Sequence, residues 1–160
     1  MSTVPISVAS GLCLVEEFTV RSEIRPPLEV GSGPFGSRMI FELVAGRATG
    51  ERFNAEVLSG GADWALVGPD GLARIDVRSQ FRTDDGAFVY VQYHGLIEMN
   101  EAVGTALSTG GETGFGDQYF RTTPRFETGD ERYSWLNRRV FLAAGRIVPG
   151  GIEYRIHRVD

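Results

Sequence analysis

The sequence predicts an all-β fold: one antiparallel, up-and-down β-barrel of roughly nine strands with a single short helix in a loop. Three observations carry this. Short segments alternate apolar and polar residues with period two, as in Ile75, Val77, Ser79 and Phe81 set against Arg74, Asp76, Arg78, Gln80 and Arg82. Turn signatures separate such segments at Pro69-Asp70-Gly71, Asp84-Asp85-Gly86 and Val148-Pro149-Gly150-Gly151. Glycine is enriched, at 21 of 160 residues, which suits many short strands better than long helices. A barrel is preferred to a sandwich because consecutive hairpins dominate and closure removes exposed edges.

Residues 1–11 read as a loose lead-in. Leu12, Leu14, Phe18 and Val20 then alternate with Glu17, Thr19 and Arg21, a strand with one buried face. Pro26-Pro27 and the Gly31 to Gly36 run make residues 22–37 a long loop. Met39 to Val44 is strand-like, Gly46 to Gly50 a turn, and Phe53, Ala55 and Val57 alternate on one face. The central meander, Val57 to Gly95, follows with its two Asp-Gly turns. In its return strand Phe88, Tyr90, Gln92 and His94 share one face, and Val89, Val91 and Tyr93 the other. Glu98 to Leu107 is the one plausible helix, ended by Gly110-Gly111. Gln118 to Phe126 resumes as a strand that Pro124 marks as an edge, bulge or end. Trp135 to Leu142 alternates as a further strand, and Ile152, Tyr154 and Ile156 complete the last.

The length suits a single domain spanning 1–160. A formal net charge of −5 and scattered arginines argue against nucleic acid as a partner. One cysteine, Cys13, excludes an internal disulfide and a cysteine-rich zinc site. His94 and His157 lie far apart with no ligand spacing, so no metal is expected. No nucleotide loop or dinucleotide fingerprint follows a strand, and no cofactor is expected. There is no basic, apolar leader and no run long enough to span a membrane, so the reading is a cytoplasmic protein without a membrane partner.

Four motifs carry a family resemblance. They are Gly60-Gly61-Ala62-Asp63-Trp64; Arg82-Thr83-Asp84-Asp85-Gly86 with Val89-Tyr90-Val91; Tyr119-Phe120-Arg121-Thr122-Thr123-Pro124 with Phe126-Glu127-Thr128; and Tyr133-Ser134-Trp135-Leu136-Asn137. In this order, over about residues 14–158, they resemble the bacterial and fungal family called domain of unknown function 3237. The resemblance implies a lipocalin-like barrel that self-associates, as a homodimer or higher homo-oligomer. It implies no established activity. Tyr93 before His94-Gly95 departs from the family pattern, and a more aromatic pocket follows if Tyr93 points inward.

With triads and metals set aside, carboxylates, phenols, guanidiniums and amides remain. Asp63 precedes Trp64. Desolvation beside a large ring raises a carboxyl pKa toward neutrality and makes a general acid or base; otherwise Asp63 caps the turn after Gly60-Gly61. Tyr90 is the candidate donor, or a surface phenol. Arg121 and Asn137 are candidate oxyanion stabilisers, or a surface arginine and a backbone-satisfying amide at a barrel end. Asp76 between Arg74 and Arg78 is either a solvated ladder or a buried ion network. Trp64, Asp76, Phe88, Tyr93, Tyr119 and Trp135 complete the candidate substrate-binding set. The function that fits is a cofactor-free acid–base enzyme: an isomerase, cyclase, dehydratase or lyase. Its substrate is a small oxygenated molecule, aromatic or polyketide-like, held in the barrel. A non-catalytic carrier of a small organic ligand and a purely structural domain are the alternatives.

Overall fold

Alternate apolar positions bury one face of each segment, and consecutive hairpins lay each strand against the next. The structure, a computed structural model, describes residues 6–7 and 11–160. Its strands are β1 (Ile6–Ser7), β2 (Cys13–Ile24), β3 (Leu28–Gly33), β4 (Gly36–Gly50), β5 (Ala55–Val57), β6 (Gly61–Val67) and β7 (Leu72–Thr83). They continue as β8 (Phe88–Glu98), β9 (Phe120–Thr122), β10 (Arg125–Glu127), β11 (Val140–Val148) and β12 (Gly151–Val159). Helix α1 (Glu101–Thr109) follows β8, and a 3-10 helix (Glu131–Arg138) follows β10.

Eight antiparallel staves close a barrel. Around the wall they are β2, β4, β5 with β6, β7, β8, β9 with β10, β11 and β12. Strands β5 and β6 both lie between β4 and β7 and form one broken stave. Strands β9 and β10 both pair with β8, on either side of Thr123-Pro124. Proline has no amide to donate to a ladder, which accounts for that second break. Pairing of β12 with β2, and of β2 with β4, completes the ring.

Four sequence expectations change. Residues 22–37 are not a long loop: β2 runs to Ile24, and β3 with the start of β4 forms a hairpin arm paired from Leu28–Ile40 to Gly33–Gly36, with a register shift between Glu29 and Gly31. All six residues of β3 are exposed, so no buried face leaves an alternation to read. Gly46 to Gly50 is not a turn but the end of the 15-residue β4. A Cβ at Gly46 would collide with the carbonyl oxygen of Arg21, so glycine here permits close approach of β2 and β4. Residues 131–138 form a 3-10 helix that takes in Trp135 to Arg138, the first half of an expected strand; Asp130 caps it by accepting from the Arg132 amide, and Leu136 is its one buried residue. Finally, Ile6–Ser7 of the lead-in pairs with Leu14 and Cys13, while residues 1–5 and 8–10 lie outside the described residues.

Asn100 caps α1 through its side chain, which accepts from the Val103 amide, and Gly110 ends it in the left-handed conformation. The helix drops Val103 and Ala106 onto the barrel beside its upper end.

The interior has two halves. Toward the β7–β8 turn it is filled by Phe18, Phe53, Phe81, Phe126 and Phe141, with Tyr133 and Trp135 of the 3-10 helix packed beneath. Ring centroids lie 4.6 Å apart for Phe18–Phe53 and 5.1 Å for Phe126–Phe141. Such tilted and edge-on contacts fill space densely and stabilise beyond area burial alone. Toward the β6–β7 and β11–β12 turns the filling stops and a cavity opens.

Candidate functional site

The cavity is about 60 Å³, several times the ~10–15 Å³ that one water needs. With its open mouth counted in, the atom-free space is about 640 Å³. Its walls are mostly apolar, with Ile24, Met39, Phe41, Ile75, Ile97 and Phe120 among them, and Leu107 of α1 reaches the rim. Four side chains bring polar atoms to it: Asp63, Tyr93, Tyr154 and Ser22. No lysine, arginine or histidine lines it among the described residues.

Asp63 owes its place to strand parity. On β6, Asp63 and Ala65 face inward while Trp64 and Leu66 face out. Pairing of β6 with β7 joins Asp63 to Val77 and Leu66 to Arg74 but skips Trp64 and Ala65. In that gap the Asp76 backbone amide donates to Asp63 Oδ1 at 3.1 Å. Burial pushes the Asp63 carboxyl up to about 7; the Asp76 amide and, at longer range, Arg38 pull it back, and the Asp76 carboxylate adds to the rise. A carboxyl at that value is divided between acid and base near neutrality, which is the condition for proton transfer in either direction.

Tyr93 comes from β8 and Tyr154 from β12, on opposite sides of the wall, and their rings meet edge to face at 5.4 Å. Both are buried, and burial pushes both phenols well above the usual tyrosine range. Each also feels the charge of Asp63, and each influences the other's ionisation, so the three groups share one neighbourhood. At physiological pH the pair are neutral hydroxyls, able to donate to an oxygen in the cavity.

The other candidates lie elsewhere, and parity is again the reason. Tyr90 and Phe88 share the outer face of β8, opposite the buried Val89 and Val91; Phe88 is 64% exposed, and the Tyr90 hydroxyl donates to Gln92 Oε1 at 3.5 Å. Asp76 is on the outside of β7, 3.3 Å from His94 in an exposed pair, so the solvated ladder is the structure's answer for that strand. Arg121 points out of β9, donates to the Phe120 carbonyl and lies over the Tyr119 ring, itself exposed. Trp64 is on the outer face of β6. Asn137 and Trp135 are at the filled end of the barrel. Asn137 Oδ1 accepts from the Thr128 amide and its Nδ2 donates to the Thr128 carbonyl, both at 2.8 Å. Trp135 packs on Phe141 beneath the Arg52 guanidinium, 3.7 Å from its ring centre. Of the four expected catalytic residues Asp63 alone reaches the cavity, joined by Tyr93 from the binding set. Tyr154 was missed, although Ile152-x-Tyr154-x-Ile156 places a phenol on the buried face of the last strand.

A model for the family described as "Protein of unknown function (DUF3237)" matches residues 13–159, nearly all of the described chain. The chain belongs to this family. A UPF0311 protein of Rhodopseudomonas palustris strain TIE-1 is 32% identical over 142 residues, covering 89% of this chain and 93% of that one. A crystal structure from Rhodopseudomonas palustris matches with a TM-score of 0.84 at 32% identity, over 93% of this chain and 98% of that one. A protein of Acinetobacter baumannii described as β-barrel like matches with a TM-score of 0.80 at 29% identity, over 93% and 96%. More distantly, an enzyme from Penicillium herquei shares the fold, with a TM-score of 0.67 at 18% identity over 100% and 98%. Within this DUF3237 chain most of the motif residues sit at the filled end. Thr83 Oγ1 and the Tyr133 hydroxyl both donate to Asp85 Oδ1, at 2.6 and 2.8 Å, and Arg47 makes a two-pronged pair with Asp84. Only the Gly60 to Trp64 motif delivers a functional group to the cavity. Among the described residues no cluster of three His, Cys, Asp or Glu could hold a metal, and no helix is long and apolar enough to cross a membrane.

Proposed function

We propose that this barrel is a cofactor-independent acid–base catalyst of the isomerase, cyclase, dehydratase or lyase type. Its substrate is a small, neutral, oxygenated molecule with an apolar body, of aromatic or polyketide-like character. The observation that carries this reading is one carboxyl poised near neutrality beside two neutral phenols, in a cavity otherwise apolar. Charge selects the substrate class: with no cation among the described lining residues, the localised charge of a carboxylate or phosphate has only neutral hydroxyls to offset its lost hydration.

The chemistry follows from the three groups. Ionised Asp63 takes a proton from carbon next to a carbonyl. The electron pair moves onto the carbonyl oxygen, and the phenols of Tyr93 and Tyr154 donate to it as its charge grows. Protonated Asp63 then returns the proton to another carbon, which is isomerisation, or to a departing hydroxyl, which is dehydration. The fold relative described as an enzyme is consistent with a catalytic use of this barrel.

The largely apolar wall also favours a second reading, a carrier that binds the same molecules without turnover. Proton exchange separates the two. Neutral cyclic ketones incubated in heavy water are followed by NMR for loss of the hydrogens next to the carbonyl. The wild type is expected to accelerate exchange, and Asp63→Asn to lose about 100-fold or more of that acceleration, the usual scale for a general base. Binding without exchange, or exchange that survives in Asp63→Asn, rejects catalysis by Asp63.

A further inference from the structure

Behind the two phenols lies a second, smaller space. It measures about 20 Å³ and separates the cavity from the aromatic filling. Tyr93, Tyr154 and Ser22 line both spaces, and Ser79 and Thr122 line the inner one alone. Ser79 is 3% exposed, and its hydroxyl oxygen is fully buried with no hydrogen-bond partner among the described residues. On β7 it sits in the inward row between Val77 and Phe81, where an alanine or valine would bury equally well. A buried hydroxyl left unpaired forfeits its hydration with nothing in return.

Size and chemistry agree on the occupant. The space exceeds the ~10–15 Å³ a single water needs, and a buried water requires two to four polar partners. Ser79, Ser22, Thr122 and the phenols supply them. We propose that the inner chamber is a binding site for one resident water, and that Ser79 is a positioning residue holding this water against the back of the Tyr93–Tyr154 pair. The water donates to a phenol oxygen from behind. That occupies a lone pair facing inward and leaves the phenol proton pointing into the outer cavity. Hydrogen bonds in series strengthen one another, so the phenols become better donors to whatever oxygen lies beside Asp63. This deepens the proposed function and rests on it for the direction of the effect; the water site itself does not.

Two measurements test it. In a high-resolution crystal structure of the unliganded wild type, the inner chamber is expected to show one density peak within about 2.5–3.0 Å of Ser79 Oγ. An inner chamber without density overturns the proposal. The second uses para-nitrophenol, whose absorption separates its bound ionised and neutral forms. Ser79→Val and Ser79→Thr have nearly the same volume and differ in the hydroxyl, so any packing cost is shared. Affinity for the ionised probe is expected to be about tenfold weaker in Ser79→Val than in Ser79→Thr, the value of one hydrogen bond of about 1.4 kcal/mol. Affinity for toluene, which accepts no strong hydrogen bond, is expected to be equal in the two. Equal affinity for the ionised probe overturns the positioning role. If ketone exchange fails while the density and the probe difference both hold, the water site stands and only the catalytic reading falls.

Discussion

The two ends of this barrel are built from the same staves and are filled in opposite ways. At one end five phenylalanines and the 3-10 helix close the bore, and the polar groups are turned outward into a ring of fixed pairs. There Glu17, only 7% exposed, accepts from both Arg52 and Arg158, and each end of the Asn137 amide meets Thr128. At the other end the bore is open, the wall is apolar, and one carboxyl and two phenols are turned inward. Polar groups that find partners consolidate a fold; polar groups held toward an open bore are available for something that enters it. Density of charged motif residues is therefore a poor guide to the working end of this molecule.

Breaking the closed end has the largest expected effect. Phe53 is fully buried and touches Phe18, Phe81 and Tyr133, so Phe53→Ala is expected to cost about 3–5 kcal/mol in urea unfolding. Folded protein should still bind para-nitrophenol as before; lost binding at full folding would show that the ends are coupled.

At the open end the sign reverses. Asp63 has its folded pKa raised to about 7, above the ordinary aspartate value, so the folded state holds a proton that the unfolded state releases. The penalty is absent below about pH 4, grows as pH rises toward 7 and is constant above. Asp63→Asn keeps an oxygen for the Asp76 amide and removes that penalty. Urea unfolding at two pH values should find almost no gain at about pH 4 and a gain on the order of 4 kcal/mol at about pH 8. A gain that does not change with pH would mean that Asp63 is not desolvated.

Smaller effects sharpen the contrast. Asn137→Ala removes two hydrogen bonds to one loop and should cost about 1–2 kcal/mol, with ketone exchange unaltered. Arg121→Ala and Tyr90→Phe, on the outer wall, should change stability by no more than about 0.5 kcal/mol and exchange not at all. Loss of exchange in either would move the site to the outside.

The fold was legible because the strands facing both core and water declare themselves by parity. The 72–82 strand alternates without a break, and the structure decides which of its two faces lines the barrel: Ile75, Val77, Ser79 and Phe81. The arm at residues 28–37 escaped because it has no buried side to print a pattern. The 3-10 helix escaped because Trp135 and Asn137, set against Leu136 and Arg138, fit a strand alternation almost as well as a short helix packed on a barrel end. For the site, parity alone puts Tyr93 with Val89 and Val91, and Tyr90 with the solvent. Tyr90, Arg121 and Asn137 carry suitable chemistry, but the first two lie on the outer side of the wall and Asn137 is held by Thr128 at the filled end. Asp63 was found because its neighbours predict desolvation; that its partners would be phenols from β8 and β12 depends on closure of the ring.

That closure joins residues 14–23 of β2 to residues 151–159 of β12, one seam stitched by strands from opposite ends of the described chain. Every other stave can pair with a near neighbour in sequence as it emerges, but this seam requires the last strand. Until β12 arrives, β2 and β11 each present a bare edge to other chains, and Tyr154 is absent from the cavity. Zipping of the seam is thus expected to be the slow step of refolding and the moment at which aggregation competes, while the Phe53 cluster collapses early.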